Sequence, residues 1–99
     1  MMPNPKQIQQ LQARLTKIQE DLGKETVEAS VGGVVKVTMT GHHEVRAIKI
    51  DPAAVDPDDV ESLEDALVTA FNQALEKASA LAQERMSAVT GGMRIPGLM

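Results

Sequence analysis

Apolar residues recur near the start of the chain at intervals of three and four, which is the a/d spacing of an amphipathic helix. They are Ile8, Leu11, Leu15, Ile18 and Leu22. Asn4 is a suitable N-cap for a helix that has Pro5 in its first position, and Gly23 is a suitable stop. We therefore predict a helix from Pro5 to Leu22. Because its heptad pattern is too short for a free coiled coil, we expect it to pack on another helix or on a second protomer.

After this helix, polar and apolar residues alternate along the chain instead of recurring at intervals of three and four. Residues 26–31, 34–40 and 44–50 are rich in β-branched side chains, with turn signals at residues 32–33 and 41–43. This pattern predicts three strands in an antiparallel meander. A two-residue turn at His42 and His43 places Lys36 opposite Lys49 and puts the apolar residues of the last two strands on one face. The first strand fits either face, so both faces look partly apolar and we expect both to be covered.

A long helix is predicted in the last third of the chain. Pro52 to Val55 is expected to form one helical turn, followed by a helix from Pro57 to Thr90 with Asp56 as its cap. Such a helix is roughly 50 Å long, which exceeds the needs of a small globule. We expect part of it to project or to pack on another subunit. The fold class is thus α+β in a single domain, residues 1–99, with a flexible tail at 93–99.

The charge of the chain is unevenly distributed. Its 99 residues carry a formal net charge of −4. Seven carboxylates and no lysine or arginine lie between Asp51 and Asp65, so this stretch carries −7 and the remainder carries +3. The acidic residues suit the start of a helix, where they complement the helix dipole. A second hypothesis is that they repel phosphates and direct a nucleic acid to the other end of the molecule.

Several function classes lack support in the sequence. There is no cysteine, which excludes disulfides and thiolate metal sites and fits a reducing cytoplasm. His42-His43-Glu44 lacks a third histidine and is better interpreted as a surface turn than as a metal site. No nucleophile–base set, cofactor motif or membrane-spanning run is found in the sequence, and because its first residues lack an apolar run we expect no signal peptide. Phe71 is the only aromatic residue, so no base-stacking platform for single strands can form. We expect no enzyme, cofactor, metal, small-molecule substrate or membrane contact.

The basic residues are the candidates for nucleic-acid contact. At 100° per residue, Lys6, Lys17 and Lys24 project within about 20° of one another, and Arg14 lies roughly 60–80° to one side. The candidate set also includes cations of the long helix and the tail; in full it is Lys6, Arg14, Lys17, Lys24, Lys77, Arg85 and Arg94. The competing interpretation is an ordinary solvated helix face. For Lys36, Lys49 and Arg46 in the sheet we favour solvent exposure or pairing across a dimer over contact with DNA.

Two motifs stand out in the chain. The first is Gly33-Val34-Val35-Lys36-Val37-Thr38-Met39-Thr40-Gly41, continuing through Val45, Ile48 and Ile50 to Asp51-Pro52. The second is Ser87-Ala88-Val89-Thr90-Gly91-Gly92-Met93. Together with the glutamine-rich first helix, these motifs resemble the YbaB/EbfC family of nucleoid-associated proteins. The resemblance implies a protomer that dimerises through its sheet region and projects its helices as tweezer-like arms. It also implies binding to duplex DNA, an altered DNA conformation and effects on gene expression.

Taken with this resemblance, the sequence predicts a homodimeric, cytoplasmic protein of the nucleoid that binds double-stranded DNA mainly through phosphate contacts and helps to organise the bacterial chromosome. Such binding weakens steeply with salt and has little sequence preference. The alternative is a dimeric protein-interaction module for a replication or repair partner, using the long alanine-rich helix.

Overall fold

The computed structural model describes residues 5–90. The predicted element order is confirmed: an N-terminal helix, three strands, a short 3₁₀ turn and a long helix. Their bounds are α1 Pro5–Lys24, β1 Thr26–Val31, β2 Val35–Thr40, β3 Val45–Ile50, the turn Pro52–Ala54 and α2 Val60–Thr90. The predicted tail, residues 93–99, lies outside the described residues.

The three strands form an antiparallel sheet in the order β1-β2-β3. Val37 pairs with Ala29 on one side and with Ile48 on the other, so the apolar residues of all three strands share one face, here called the inner face. The opposite, outer face carries mainly hydroxyl and charged side chains, namely Thr26, Glu28, Ser30, Lys36, Thr38, Ala47 and Lys49. The expectation that both faces are apolar is therefore wrong, because the apolar side chains of β1 all point to the inner face.

The connection between β2 and β3 differs from the predicted two-residue turn. Thr40 donates its backbone N–H to Glu44, which leaves a three-residue loop of Gly41, His42 and His43. His43 adopts a positive φ of 65°, and Arg46 is an extra residue in β3 between two paired positions. This bulge compensates for the longer loop. Lys36 consequently lies opposite Lys49, as predicted.

Helix α2 packs on β1 and β2 of the inner face. Ala70, Ala74 and Ala78 are fully buried against Val35 and Val37, because alanine lets the helix backbone approach the sheet closely. The helix begins at Val60, three residues later than predicted. Asp59 is its cap, accepting hydrogen bonds from the backbone N–H and the hydroxyl of Ser62. Asp56 instead caps the preceding turn through the N–H of Asp58, 2.9 Å away.

Helix α1 packs on the C-terminal half of α2 beyond the end of the sheet. It runs through Gly23 to Lys24 rather than stopping at Leu22, and the next residue, Glu25, still donates its N–H to the carbonyl of Asp21. Leu22 is buried, whereas Ile8 and Leu11 near the other end are about 42% exposed. The apolar stripe of α1 is thus packed most closely at its C-terminal end.

Two layers result from this packing. Arg85 and Ala88 project within about 40° of Ala74 at 100° per residue, so α1 and the sheet lie against the same side of α2. The Cα extents of 66 × 26 × 14 Å agree with one layer formed by α2 and a second formed by α1 and the sheet. The outer face of the sheet and the side of α1 opposite its apolar stripe therefore point the same way.

Candidate nucleic-acid interface

A stripe of lysines runs along the exposed side of α1. Lys6, Lys17 and Lys24 project away from the apolar stripe of α1 and all three are exposed, although Lys17 also lines a groove between α1 and α2. No side-chain hydrogen bond or ion pair links them to any residue from 5 to 90. Glu20 and Asp21 flank this stripe on its two sides, each about 40–60° from the lysines in the helical projection. The stripe spans about 27 Å of helix, and its charges are available to an external anion.

Arg14 lies on one flank of the same helix. With Lys17 and Asp21 it lines a shallow groove between α1 and α2, whose floor is formed by Ile18 and Ala88. Arg14 makes no hydrogen bond or ion pair within the described residues. Its guanidinium extends the positive surface of α1 toward α2.

The two candidate cations of α2 are engaged within the protomer. Lys77 donates a 2.7 Å hydrogen bond to the carbonyl oxygen of Glu28 on β1. Arg85 makes a bidentate ion pair with Glu25: its Nε donates to Oε2 at 3.0 Å, and its Nη2 donates to Oε1. The hydrogen bond from Arg85 lowers the pKa of Glu25, and Glu25 in turn raises the pKa of Arg85. Both side chains therefore hold α2 to the sheet layer in the free protein. Arg94, the last candidate, lies outside the described residues.

A row of polar side chains crosses the outer face of the sheet. Ser30 pairs with Lys36, and Lys36 pairs with Lys49, so the three residues lie side by side on adjacent strands. Glu28 makes an ion pair with Lys36 at 3.5 Å between two exposed side chains. Lys49 has no such partner among residues 5–90. Two like charges directly opposite each other are unfavourable unless an anion relieves them.

The β2–β3 loop fastens α1 to the sheet. Gly41 donates its N–H to the carbonyl oxygens of Leu22 and Glu25, at 2.9 and 3.1 Å. His42 contacts the carbonyl oxygen of Gln19 through Nε2, and Arg46 donates to that of Gly23. The carbonyls of Leu22 and Gly23 belong to the last turn of α1, which the helix itself leaves without partners, so Gly41 and Arg46 satisfy them and the charge of Arg46 complements the helix dipole. They fix the direction in which α1 leaves the sheet. Sequence reasoning missed this role because it depends on contacts between distant segments.

The acidic residues lie at the other end of the molecule. Asp56, Asp59 and Ser62 surround the start of α2 next to Val34, which follows the β1–β2 turn. That turn is built on Gly32 and Gly33, whose positive φ values of 57° and 70° are readily adopted only by glycine. From Val60 to Ala88, α2 rises by about 42 Å. Negative charge is therefore concentrated at one end of the protomer, and the α1 lysines lie toward the other end.

Other site classes find no support in the described part of the chain. Residues 5–90 contain no group of three or more histidine, aspartate or glutamate side chains placed to hold a metal ion. Neither helix of this part is long and apolar enough to cross a membrane.

A sequence model of the YbaB/EbfC DNA-binding family matches residues 1–93. The chain belongs to this family. Among its relatives, a nucleoid-associated protein of Moorella thermoacetica is 52% identical over 93 residues, covering 93% of this chain and 89% of that protein. A nucleoid-associated protein of Roseiflexus castenholzii is 45% identical over 98 residues, covering 95% of this chain and 98% of that protein. The family predicted from the two motifs is thus confirmed.

The fold has a counterpart among solved structures. The uncharacterized protein HP0035 of Helicobacter pylori superimposes with a TM-score of 0.65 at 20% identity, covering 85% of this YbaB/EbfC chain and 86% of that one. At this identity the similarity concerns the fold alone. It confirms the arrangement of helix, meander and long helix as a fold that another chain also adopts.

Proposed function

We propose that the protein binds double-stranded DNA as a homodimer in the nucleoid, mainly through phosphate contacts, and alters the conformation of the DNA. Its membership of a DNA-binding family carries the proposal. The α1 lysine stripe supplies a matching physical feature, because cations without an internal partner release counterions from DNA on binding. The contacts come from Lys6, Arg14, Lys17 and Lys24, with Lys77, Arg85 and Arg94 as further candidates.

The homodimer is proposed from an uncovered part of the inner face. Val45, Ile48 and Ile50 of β3 share this face with the buried core residues of β2 but remain about 40% exposed, since α2 packs mainly on β1 and β2. Val68 and Leu75, on a flank of α2, are 60% and 40% exposed. We call these five residues the β3–α2 groove.

A second copy of the chain is the occupant that we propose for this groove. The groove is apolar and β3 is an edge strand of the sheet. The same patch on a second copy matches it in chemistry, as a two-fold dimer requires. A domain of this size also gains stability by covering such a surface.

The test is fluorescence anisotropy of a labelled duplex of about 30 base pairs, titrated at several salt concentrations. We expect log Kd to rise linearly with log salt, and K6Q/K17Q/K24Q to reduce the slope by roughly 0.9 per lost contact. The charge-retaining variant K6R/K17R/K24R should keep the slope. Absence of binding by the unmodified protein at low salt would refute the proposal and favour a protein-interaction role.

A further inference from the structure

The outer face of the sheet points in the same direction as the α1 lysine stripe. Both belong to one layer, and α2 covers the opposite side of that layer. From Lys6 to Lys24 the stripe covers about 27 Å, and from Lys24 to the row at Ser30 the strand adds about 20 Å. The two surfaces therefore form one continuous side of the molecule, roughly as long as 14 base pairs at 3.4 Å each.

We propose that the outer face of the sheet is a second phosphate-contact surface, on which Lys36 and Lys49 bind the backbone of the duplex that the α1 lysines contact. This inference rests on the proposed DNA-binding function and adds a site to it. The two lysines lie directly opposite each other and line a shallow depression with Ser30, Gly33 and Asp51, to which Val34, Val35 and Ile50 add apolar surface.

The chemistry of this depression suits a phosphodiester group. Two ammonium groups and the Ser30 hydroxyl offer donors to phosphate oxygens, and Gly33 adds no side chain that would block approach. The Oδ1 atom of Asp51 already accepts the N–H of Ala53 at 3.0 Å, and Glu28 is held by Lys36. Glu28 offsets part of the charge of Lys36 in the free protein, whereas Lys49 has no ion-pair partner among residues 5–90, so a bound phosphate neutralises Lys49 and relieves the repulsion that remains between the two lysines.

The proposed dimer leaves this surface open. The β3–α2 groove lies on the inner side of the sheet, whereas Lys36 and Lys49 project from the outer side. Arg46 lies between the row and α1, with its guanidinium 2.9 Å from the carbonyl oxygen of Gly23. It therefore places a positive charge at the junction of the two surfaces.

The test compares K36Q/K49Q with two controls in the salt titration described above. Q73E/Q83E changes the net charge by the same amount at two exposed positions of α2 that do not face the sheet. K36R/K49R retains the charge at the site. We expect K36Q/K49Q to reduce the salt slope by about two units per protomer and both controls to keep the slope of the unmodified protein. The thermal midpoint of K36Q/K49Q should stay the same or rise, which separates lost contacts from unfolding.

Each result has a definite meaning. An unchanged slope in K36Q/K49Q overturns the second surface and leaves the proposed function intact. An equal loss in Q73E/Q83E also overturns it, because net charge would then account for the effect. If the unmodified protein fails to bind duplex DNA at low salt, the proposed function and this inference both fall.

Discussion

Gly41 lies where α1 and the sheet approach each other most closely. A Cβ atom at this position would stand 2.7 Å from Cδ2 and 2.8 Å from the carbonyl oxygen of Leu22. One of these neighbours is backbone and the other belongs to a buried side chain, so neither can move freely. The requirement for glycine is therefore steric, and it comes from the hydrogen bonds that bring the loop against the end of α1.

Replacing Gly41 by alanine should destabilise the protein by about 1–3 kcal/mol, because the added methyl group forces α1 away from the loop. Gly23→Ala is the control within the same junction. A Cβ there meets His42 at an ordinary 3.6 Å, and alanine favours the helix, so the stability should hold or rise by about 0.5–1 kcal/mol. Urea denaturation measures both changes. If G41A were as stable as the unmodified protein, the junction would accommodate the added methyl group without loss of stability.

At the scale of elements, the ion pair of Glu25 and Arg85 joins the start of the sheet to α2. Arg85 lowers the pKa of Glu25 from its ordinary value of 4.5, so the folded state favours the ionised carboxylate. This stabilisation is present above pH 4.5 and is lost as the pH falls through the lower pKa of the folded state. Arg85 remains charged throughout, since Glu25 raises its pKa.

We therefore expect Glu25→Gln to reduce the free energy of unfolding near neutral pH, with the difference from the unmodified protein shrinking in acid. Urea denaturation from about pH 7 to about pH 3 measures this convergence. Glu76→Gln, which removes an exposed carboxylate of α2 that makes no hydrogen bond or ion pair within residues 5–90, is the control and should leave the free energy of unfolding at neutral pH unchanged. A difference for E25Q that stays constant down to pH 3 would mean that the ionisation of Glu25 does not contribute.

Much of the fold could be predicted from the sequence because periodicity depends on local chemistry. The alternation in β2 and β3 placed Lys36 opposite Lys49 correctly even though the turn was wrong, since the bulge at Arg46 restores the register. The start of α2 was misplaced because Asp56 and Asp59 are both good caps, and only the surrounding chain determines which one caps the helix. Both errors arose where several local solutions have similar energies.

The candidate interface was less accessible to sequence reasoning. The α1 lysines share a side because helical spacing alone places them there. The engagement of Arg85 by Glu25, and of Lys77 by the Glu28 carbonyl, joins residues 60 and 49 positions apart. No local pattern indicates such pairs. The same limit applies to the common direction of α1 and the outer face, which follows from packing both on α2.

At the scale of the molecule, the proposed dimer predicts an asymmetry between the two faces of β3. Ile48→Glu puts a charge into the β3–α2 groove and should yield a monomer, because burying an unpaired carboxylate is costly. Ala47→Glu, on the outer face of the same strand, should leave the dimer intact. Analytical ultracentrifugation at micromolar concentration distinguishes them, and circular dichroism checks that each variant is folded. A monomeric unmodified protein would exclude this dimer at that concentration.

The acidic end of the molecule offers a test of how far DNA extends over it. Neutralising Asp58, Glu61 and Glu64 to Asn and Gln should strengthen duplex binding, because these charges repel phosphates. Asp56 and Asp59 stay unchanged, since they cap the turn and the helix. The charge-retaining variant D58E/E61D/E64D should bind as the unmodified protein does.

The salt dependence of this gain in affinity distinguishes two possible positions of the DNA. The middle of the α1 stripe lies about 40 Å from the acidic end, and Lys24 lies about 20 Å from the row that adjoins Asp51; both distances exceed the Debye length of about 8 Å at physiological salt. A duplex confined to α1 should therefore respond to D58N/E61Q/E64Q only near 0.01 M salt, where the Debye length is about 30 Å. A duplex that also contacts Lys36 and Lys49, next to Asp51, lies closer to these carboxylates. We expect affinity to rise by about three- to tenfold at low salt and to remain measurably higher at about 0.15 M. A gain that vanishes at 0.15 M would place the DNA on α1 alone.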